Sequence, residues 1–527
     1  MALILSTSQI SEGRQVGVPI IGEEEIVFDW TTDRCDMQDI PDLPARAFRD
    51  IFGQIQLIAT HNINRRMIGN SLENVERDCT VIMESGRESA PELFDGWEWI
   101  SSTYTLDGHK IYALIHNEFQ GLQAGHWRSV EDFSSTQGQS GWHYQEWIGG
   151  YSNMFYDPNN NRWQGSRATC VLGNAYAHPE GFCEPARKWV SPVSATVKIR
   201  GDAKDLDGGG GDGVILRIVK GTEELWSQVI NNGDTKTYSY NLDVDVERGD
   251  AIYFRVNQRN SSNFDSTQFT ADISIEPDLC SSGQTLNCWY NSISLAISND
   301  GGRSYQHSEA PTHLIAAPPY QYVPDSGAWG YFAPSNIIHN PNDDYYYTFI
   351  AGGPYRSQQW AACLMRTKDL DDPLSWRAWD GESFDVQFIN PYLESDFKPF
   401  EHVCRPVDRD DIGWIKSSLT YNTYFEQFLL VGEFVKAGQQ GFYYALSDDL
   451  IEWTEMELLM DVNLTTQETH CNQESLLYPS LIDPTDTSMN FEVTGKQPYL
   501  YFTRFHPCTS TNFRLDRDLV RIQIEFK

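Results

Sequence analysis

A loose internal repeat constrains what this chain can fold into more than any other feature of its 527 residues. The stretch "YFAPSNIIHNPNDDYYYTFIAGG", followed by "WAACLMRTKDLDDPLSWRAW", sets out short apolar strands separated by turns. The plan returns in "WIKSSLTYNTYFEQFLLVGEF" with "GFYYALSDDLIEWTEM", and again in "LLYPSLIDPTDTSMNFEVTGKQPYLYFTRFHP" with "RLDRDLVRIQIEFK". The turns "NPNDD", "YNTYFE" and "DPTDTS" hold residues that bend the backbone readily, and the strands carry aromatic and β-branched side chains that suit a pleated surface. Each copy therefore reads as a meander of three or four strands. One such sheet cannot bury its faces alone, so the copies must stack on one another.

Two earlier copies are more diverged. "ARAFRDIFGQIQLIATHNINR" with "CTVIMES" reads as the first unit, and "WEWISSTYTLDGHKIYALIHNEFQG" as half of the second. The missing half is expected at residues 287–305, "NCWYNSISLAISNDGGRSY". Between the halves, from about 189 to 277, apolar and polar residues alternate over many short strands with turns at "GGGGDG", "NNGD" and "RGD", a β-sandwich pattern. The expected fold class is all-β: a five-bladed β-propeller with a β-sandwich domain inserted in blade two. The expected boundaries are 24–165 for the first blades, 185–280 for the sandwich and 285–527 for the remaining blades. The N-terminal "EEEIVFDW" is expected to complete the last blade and close the ring, which removes sheet edges that would template aggregation.

The charge narrows the partners. With 74 acidic and 39 basic residues the formal charge is −35, and such a surface repels phosphate backbones and anionic membranes. No apolar run approaches a membrane span. The opening "MALILSTSQISEGRQ" lacks a basic n-region, so no signal peptide is expected there. The ten cysteines contain no CxxC pair, which argues against structural zinc of that type. Cys170 with Cys183, and Cys280 with Cys288, are spaced for local disulfides in an exported protein; free thiols in a cytoplasmic one fit as well.

In a propeller, the mouth of the central channel gathers side chains from every blade. "THNIN" and "IHNEF" look like two copies of one motif ending the second strands of the first two units, bringing His61, His116 and Glu118 to that mouth. His116 and Glu118 lie two apart, so in a strand they share a face. Corresponding strand ends offer Arg356, Glu433 and Arg504. The approach to the first unit, "DWTTDRCDMQDIPDLPARAFRD", carries Asp33, Asp36, Asp39 and Asp42 before Arg46, stiffened by Pro41 and Pro44. Trp97, Trp99, Trp329 and Tyr478 are candidates for stacking on sugar rings.

This plan of blades, the carboxylate-rich approach to the first and the "YYYTFIAGG" type of strand resemble the five-bladed propeller glycoside hydrolases that cleave arabinan, xylan and fructan. The insert resembles the small β-sandwich modules attached to many bacterial carbohydrate-active enzymes, through its "GGDGV" turn and the strand after "RGD". The first resemblance implies a base or nucleophile Asp on blade one, a second carboxylate that orients substrate, and a Glu acid from a later blade. Asp42 matches the first, with Asp36 as its competitor; Glu118 and Glu433 are the later carboxylates, and the third-blade strand "YFAPSN" carries no acid. "SNDGGRSY", Ser298 to Tyr305, resembles the Asp-box of sialidases, a structural turn.

The expected activity is glycoside hydrolysis of a polysaccharide or oligosaccharide, with Glu118 as acid, Asp42 as base and Arg46 and Arg504 holding substrate. A polysaccharide lyase using the same His, Tyr and Arg groups is the alternative, and a non-catalytic carbohydrate- or protein-binding propeller the third. No cofactor is required by this chemistry. Ca²⁺ is the one ion the sequence suggests, through Asp205, Asp207 and Asp212 of "DLDGGGGDG", although EF-hand spacing is absent and a Gly-rich hairpin turn accounts for the same residues.

Overall fold

The computed structural model describes residues 21–84, 91–121, 126–192, 195–275, 280, 282, 285–464, 472–508 and 515–527. The opening "MALILSTSQISEGRQ" and Cys471 lie outside them. The chain is all-β, its described helices being single turns such as Trp30–Asp33 and Arg409–Ile412. No described helix is long and apolar enough to cross a membrane.

Two compact units divide the chain, Met1–Gln120 with Gln284–Lys527, and Gly121–Gly283. The first boundary lies earlier than the expected 165–185. Residues 126–165 form strands that pair within the second unit: Trp142–Trp147 lies against Glu184–Val190, and His126–Arg128 against Asp272–Ile275.

In the first unit, Arg46–Arg49, Ile55–Ile58, Ile63–Gly69 and Val75–Glu84 make one antiparallel sheet in chain order. Trp97–Thr105 pairs with Ile111–Phe119. All nine residues of that second strand then pair with Tyr290–Ser298, so the half-unit expected at 287–305 sits where the repeat required it. Tyr290–Ser298 pairs in parallel with Trp329–Phe332, from which Tyr345–Gly353 and Ala361–Thr367 follow by antiparallel pairing. Ser418–Asn422, Gln427–Lys436, Gln439–Ser447 and Glu457–Asp461 follow as a further meander. The last sheet, Ser475–Ile482, Tyr499–Phe505 and Arg517–Gln523, is completed by the N-terminal Glu25–Phe28.

The cores of this unit lie between successive meanders. Phe48 and Ile58 of the first meet Ile115 and Ala296 of the second. Leu114 and Leu295 meet Tyr331 and Ile350, and Phe349 and Leu364 meet Leu419 and Leu430. Leu429 and Val431 meet Leu500 and Val520 of the last sheet, whose Tyr501 and Leu519 pack back on Ala47 and Leu57 of the first.

Turns hold the outer strands. In the stretch that resembles an Asp-box, Asp300 accepts from the backbone N–H groups of Arg303 and Ser304 at 2.9 Å, and Ser298 from Gly302 at 2.8 Å. Gly302 has φ +82°, and a Cβ there would lie 2.6 Å from Phe48 and Gln56. Ser447–Trp453 repeats the bonding: Asp449 accepts from Ile451 and Glu452 at 2.9 Å, with Leu450 at φ 70° in the glycine's place. The sequence hid that second copy because it lacks the glycine.

In the second unit, one antiparallel sheet runs through Trp142–Trp147, Glu184–Val190, Ala251–Asn257, Val214–Lys220 and Glu223–Ile230. Another is centred on Ala195–Asp205, flanked by Tyr238–Val246, Thr267–Phe269 and Asp272–Ile275. Leu216, Ile218 and Phe254 of the first share one core with Val197, Ile199 and Ile273 of the second. Cys170–Cys183 is a disulfide, as are Cys35–Cys79 and Cys363–Cys404, and Cys280, Cys288 and Cys508 are disulfide-bonded too. Among the described residues no cysteine is free.

Arg46, expected to hold substrate, does structural work. Its buried guanidinium donates to the backbone carbonyls of Ser101 at 3.1 Å, Ala45 and Pro334 at 3.2 Å, and Ser417 at 2.7 Å. These carbonyls come from four successive meanders, so one side chain ties their inner ends. Burial pushes Arg46 down to about 9, opposed by the Glu433 charge, so it stays charged at neutral pH. Replacing Arg46 by Met leaves these carbonyls without their donor, and is expected to lower stability by more than about 3 kcal/mol in denaturant unfolding, with Arg46→Lys recovering only part.

Candidate active site

Where the inner strands of the first unit converge there is a cavity of about 620 Å³, lined by Asp42, His61, Trp99, His116, Glu118 and Tyr478 among others. Asp42 reaches it on the Pro41–Pro44 approach, beside the first strand. Arg517 donates to Asp42 Oδ1, and so does the Tyr478 hydroxyl at 3.4 Å; His61 Nε2 lies 3.9 Å from Oδ2. The competitor Asp36 pairs instead with Arg65 at 2.6 Å, and the buried Asp39 with Arg77.

The strand Ile111–Phe119 delivers His116 and Glu118 to the cavity as the two-residue period requires. Glu118 Oε2 accepts from Trp289 Nε1 at 2.8 Å and Gln120 Nε2 at 3.0 Å, and its Oε1 lies 3.9 Å from His116 Nε2. His116 Nε2 also meets Asn291 Oδ1 at 3.0 Å. Burial pushes His116 down to about 4, so it is neutral at pH 7. Burial lowers His61 as well, opposed by the Asp42 charge. The two "HN" motifs converge on one ring: Trp99 lies between His61 and His116, with ring centroids 5.4 and 5.8 Å away.

Tyr478 sits at an irregularity in the pairing of Ser475–Ile482 and has φ 62°, a left-handed backbone. The displaced N–H of Tyr478 donates to Glu433 Oε1 at 2.6 Å, while Ser417 Oγ donates to Oε2 at 2.6 Å. Glu433, expected to be catalytic, therefore positions Tyr478 and does not line the cavity. Burial raises the Tyr478 hydroxyl far above its ordinary value, and the charges of Asp42, Glu433 and Glu118 all add to this.

Other expected residues lie elsewhere. Arg504 pairs with Glu24 and, at 3.6 Å, with Glu474; its neighbour Phe505 lines the cavity, because adjacent strand residues face opposite ways. Arg356 is exposed over Tyr320 and Tyr355. Trp329 is buried against Tyr355 at 3.9 Å, and Trp97 packs beside Leu43 and Ala333. Sequence reasoning missed Lys416, Arg517, Trp289 and Phe332, which line the cavity. The signal for Lys416 was its place, just ahead of a first strand, as Asp42 is ahead of Arg46–Arg49.

No protein-family model matches this chain, and no curated protein matches it in sequence. Solved structures give slight likenesses. The catalytic domain of a Coprinopsis cinerea GH62 α-L-arabinofuranosidase is 11% identical over 45% of this chain and 87% of that one, with a TM-score of 0.21. An α-L-arabinofuranosidase from Podospora anserina is 11% identical over 45% and 83%, with a TM-score of 0.21. The CBM51-2 and INT domains of Clostridium perfringens ZmpB are 10% identical over 34% and 40%, with a TM-score of 0.16. Likeness this slight carries neither fold nor activity to this chain.

Burial pushes Lys416 down to about 8, with Glu433 opposing and Arg46 adding to the shift. An amine at the cavity with this value is half deprotonated near pH 8, where an ordinary lysine is almost wholly charged. Acylation of Lys416 followed by peptide mass spectrometry against pH is expected to show a midpoint of about 8. A midpoint at the ordinary lysine value refutes this.

Proposed function

We propose that the first unit is a five-bladed β-propeller and that it acts as a glycoside hydrolase in the cavity around Tyr478. The blade count is supported by the five meanders and by the core contacts that lead from each to the next and back to the first. The observation that carries the activity is the meeting of Asp42 and Glu118 with the Tyr478 hydroxyl between aromatic walls. Trp99, Trp289 and Phe332 take the apolar faces of sugar rings, and neutral His116 offers a hydrogen bond to a hydroxyl. Glu118 gives a proton to the leaving oxygen, and Asp42, oriented by Arg517 and Tyr478, serves as base or nucleophile. Disulfides at every described cysteine support an oxidising compartment.

A lyase reading is favoured by Lys416 and Arg517, two cations at the cavity that would neutralise a uronate carboxylate while the His61 imidazole takes the proton.

The second unit is proposed to be an inserted β-sandwich module that holds Ca²⁺. The buried Asp265, 1% exposed, has no hydrogen-bond partner at either carboxylate oxygen, and buried Asp207 Oδ1 has none. Burial, then the charges of Asp212, Asp207 and Asp205, push Asp265 up to about 7. Hard oxygen donors without a proton source suit Ca²⁺. Asp212 of the glycine-rich turn instead accepts from Asn260 and Ser261.

A glycan panel read by product mass identifies the substrate. On that glycan Asp42→Asn and Glu118→Gln are each expected to lower kcat/KM by about 10²–10⁴-fold; survival within a few-fold removes that residue from its role. A product that absorbs in the ultraviolet supports the lyase instead, and retained affinity without turnover supports a binding module. For the second unit, millimolar Ca²⁺ added to the chelator-treated chain is expected to raise an unfolding midpoint, and Asp265→Asn to abolish the rise. Equal midpoints with Ca²⁺ and chelator refute the ion.

A further inference from the structure

Glu98, His307 and His313 lie in the first unit, and none of them lines the cavity around Tyr478. Glu98 follows Trp97 on the Trp97–Thr105 strand, and the two histidines flank the turn after Gln306–His307. One ligand atom from each can be chosen so that all three lie within 4.8 Å of one another. His307 Nε2 is 3.6 Å from Glu98 Oε1, and the two imidazoles stack with centroids 4.4 Å apart.

The tautomers follow from the second nitrogen of each ring. His307 Nδ1 meets the Ser308 carbonyl at 2.6 Å, and His313 Nε2 meets the Phe94 carbonyl at 2.9 Å. A carbonyl only accepts, so each of these nitrogens carries the hydrogen. In the neutral rings the lone pairs are then on His307 Nε2 and His313 Nδ1. The latter is fully buried and has no hydrogen-bond partner. Two imidazoles and a carboxylate thus lie together, with a ligand atom of each within 4.8 Å of the others. Histidine rings fixed by backbone carbonyls through the far nitrogen are the usual outer support of metal-binding imidazoles.

We propose that Glu98, His307 and His313 bind a divalent transition metal, with Zn²⁺ the best match to two imidazole nitrogens and one carboxylate oxygen. Zn²⁺ bound at about 2.0–2.2 Å to each places tetrahedral ligands about 3.3 Å apart, close to the His307–Glu98 separation. A second cavity, of about 440 Å³, is lined by His307, Ser308, Gln306 and Asp300, so one of the three residues borders open space.

The test uses the full chain, stripped with chelator and titrated with Zn²⁺ alone by calorimetry, with bound metal counted by mass spectrometry. One tight equivalent is expected, and His307→Ala, a half-buried position whose loss leaves the sheets paired, is expected to weaken it by at least about 100-fold. Co²⁺ in place of Zn²⁺ is expected to give the visible absorption of a tetrahedral site in the wild type and not in the variant. Glu98→Gln, checked by circular dichroism, repeats the comparison at the carboxylate. Absence of tight binding, or binding that His307→Ala leaves unchanged, overturns the proposal and leaves the cluster as a His307–Glu98 ion pair.

Discussion

The first unit depends on how its inner strands are held together. They converge at the middle without pairing to one another, so each presents unpaired peptide groups to its neighbours. The Arg46 guanidinium answers carbonyls from four meanders at once. Asparagine side chains do the rest, because an amide offers one acceptor and two donors and can stand in for a peptide. Asn64 bonds Glu98 O and Ile100 N, Asn336 bonds Leu419 O and N, and Asn490 bonds Thr105 O and N. Asp42 and Lys416 sit within a few residues of these ties, so the cavity inherits their rigidity.

The same ties explain where backbone distortion is tolerated. Tyr478 holds a left-handed backbone that a bulky residue adopts only under outside support. Glu433 supplies it by accepting the Tyr478 N–H, and Ser417, whose carbonyl bonds Arg46, in turn holds Glu433. A relay of three residues thus fixes the phenol over Asp42. Inside a strongly acidic protein, the cavity sets Lys416 and Arg517 against Asp42 and Glu118, a local balance that the net charge of −35 conceals.

Local periodicity was legible in the sequence, and so were the meanders: the two-residue spacing put His116 and Glu118 on one face, and the repeat put 287–305 beside Ile111–Phe119. Long-range partners were not. Nothing in "ARAFRD" says that Arg46 will meet carbonyls from 101, 334 and 417 instead of substrate. One residue of register separated Arg504, expected at the cavity, from Phe505, which is there. Glu433 was recognisable as a carboxylate ending a strand, but its capture by a displaced N–H depends on an irregularity in another strand. The alternation of Trp142–Trp147 suits either unit, and its pairing with Glu184–Val190 assigns it to the second.

Strand alternation also links the two sites of the first unit. On Trp97–Thr105, Trp99 lines the cavity between His61 and His116, and Glu98 turns the other way toward His307 and His313. The Glu98 carbonyl is itself held by Asn64, one of the asparagine ties. A shift of this strand along its axis would move a cavity wall and a carboxylate of the histidine cluster together. A cation that fixes Glu98 therefore fixes Trp99 through one rigid peptide, and the two sites share a support although no side chain belongs to both.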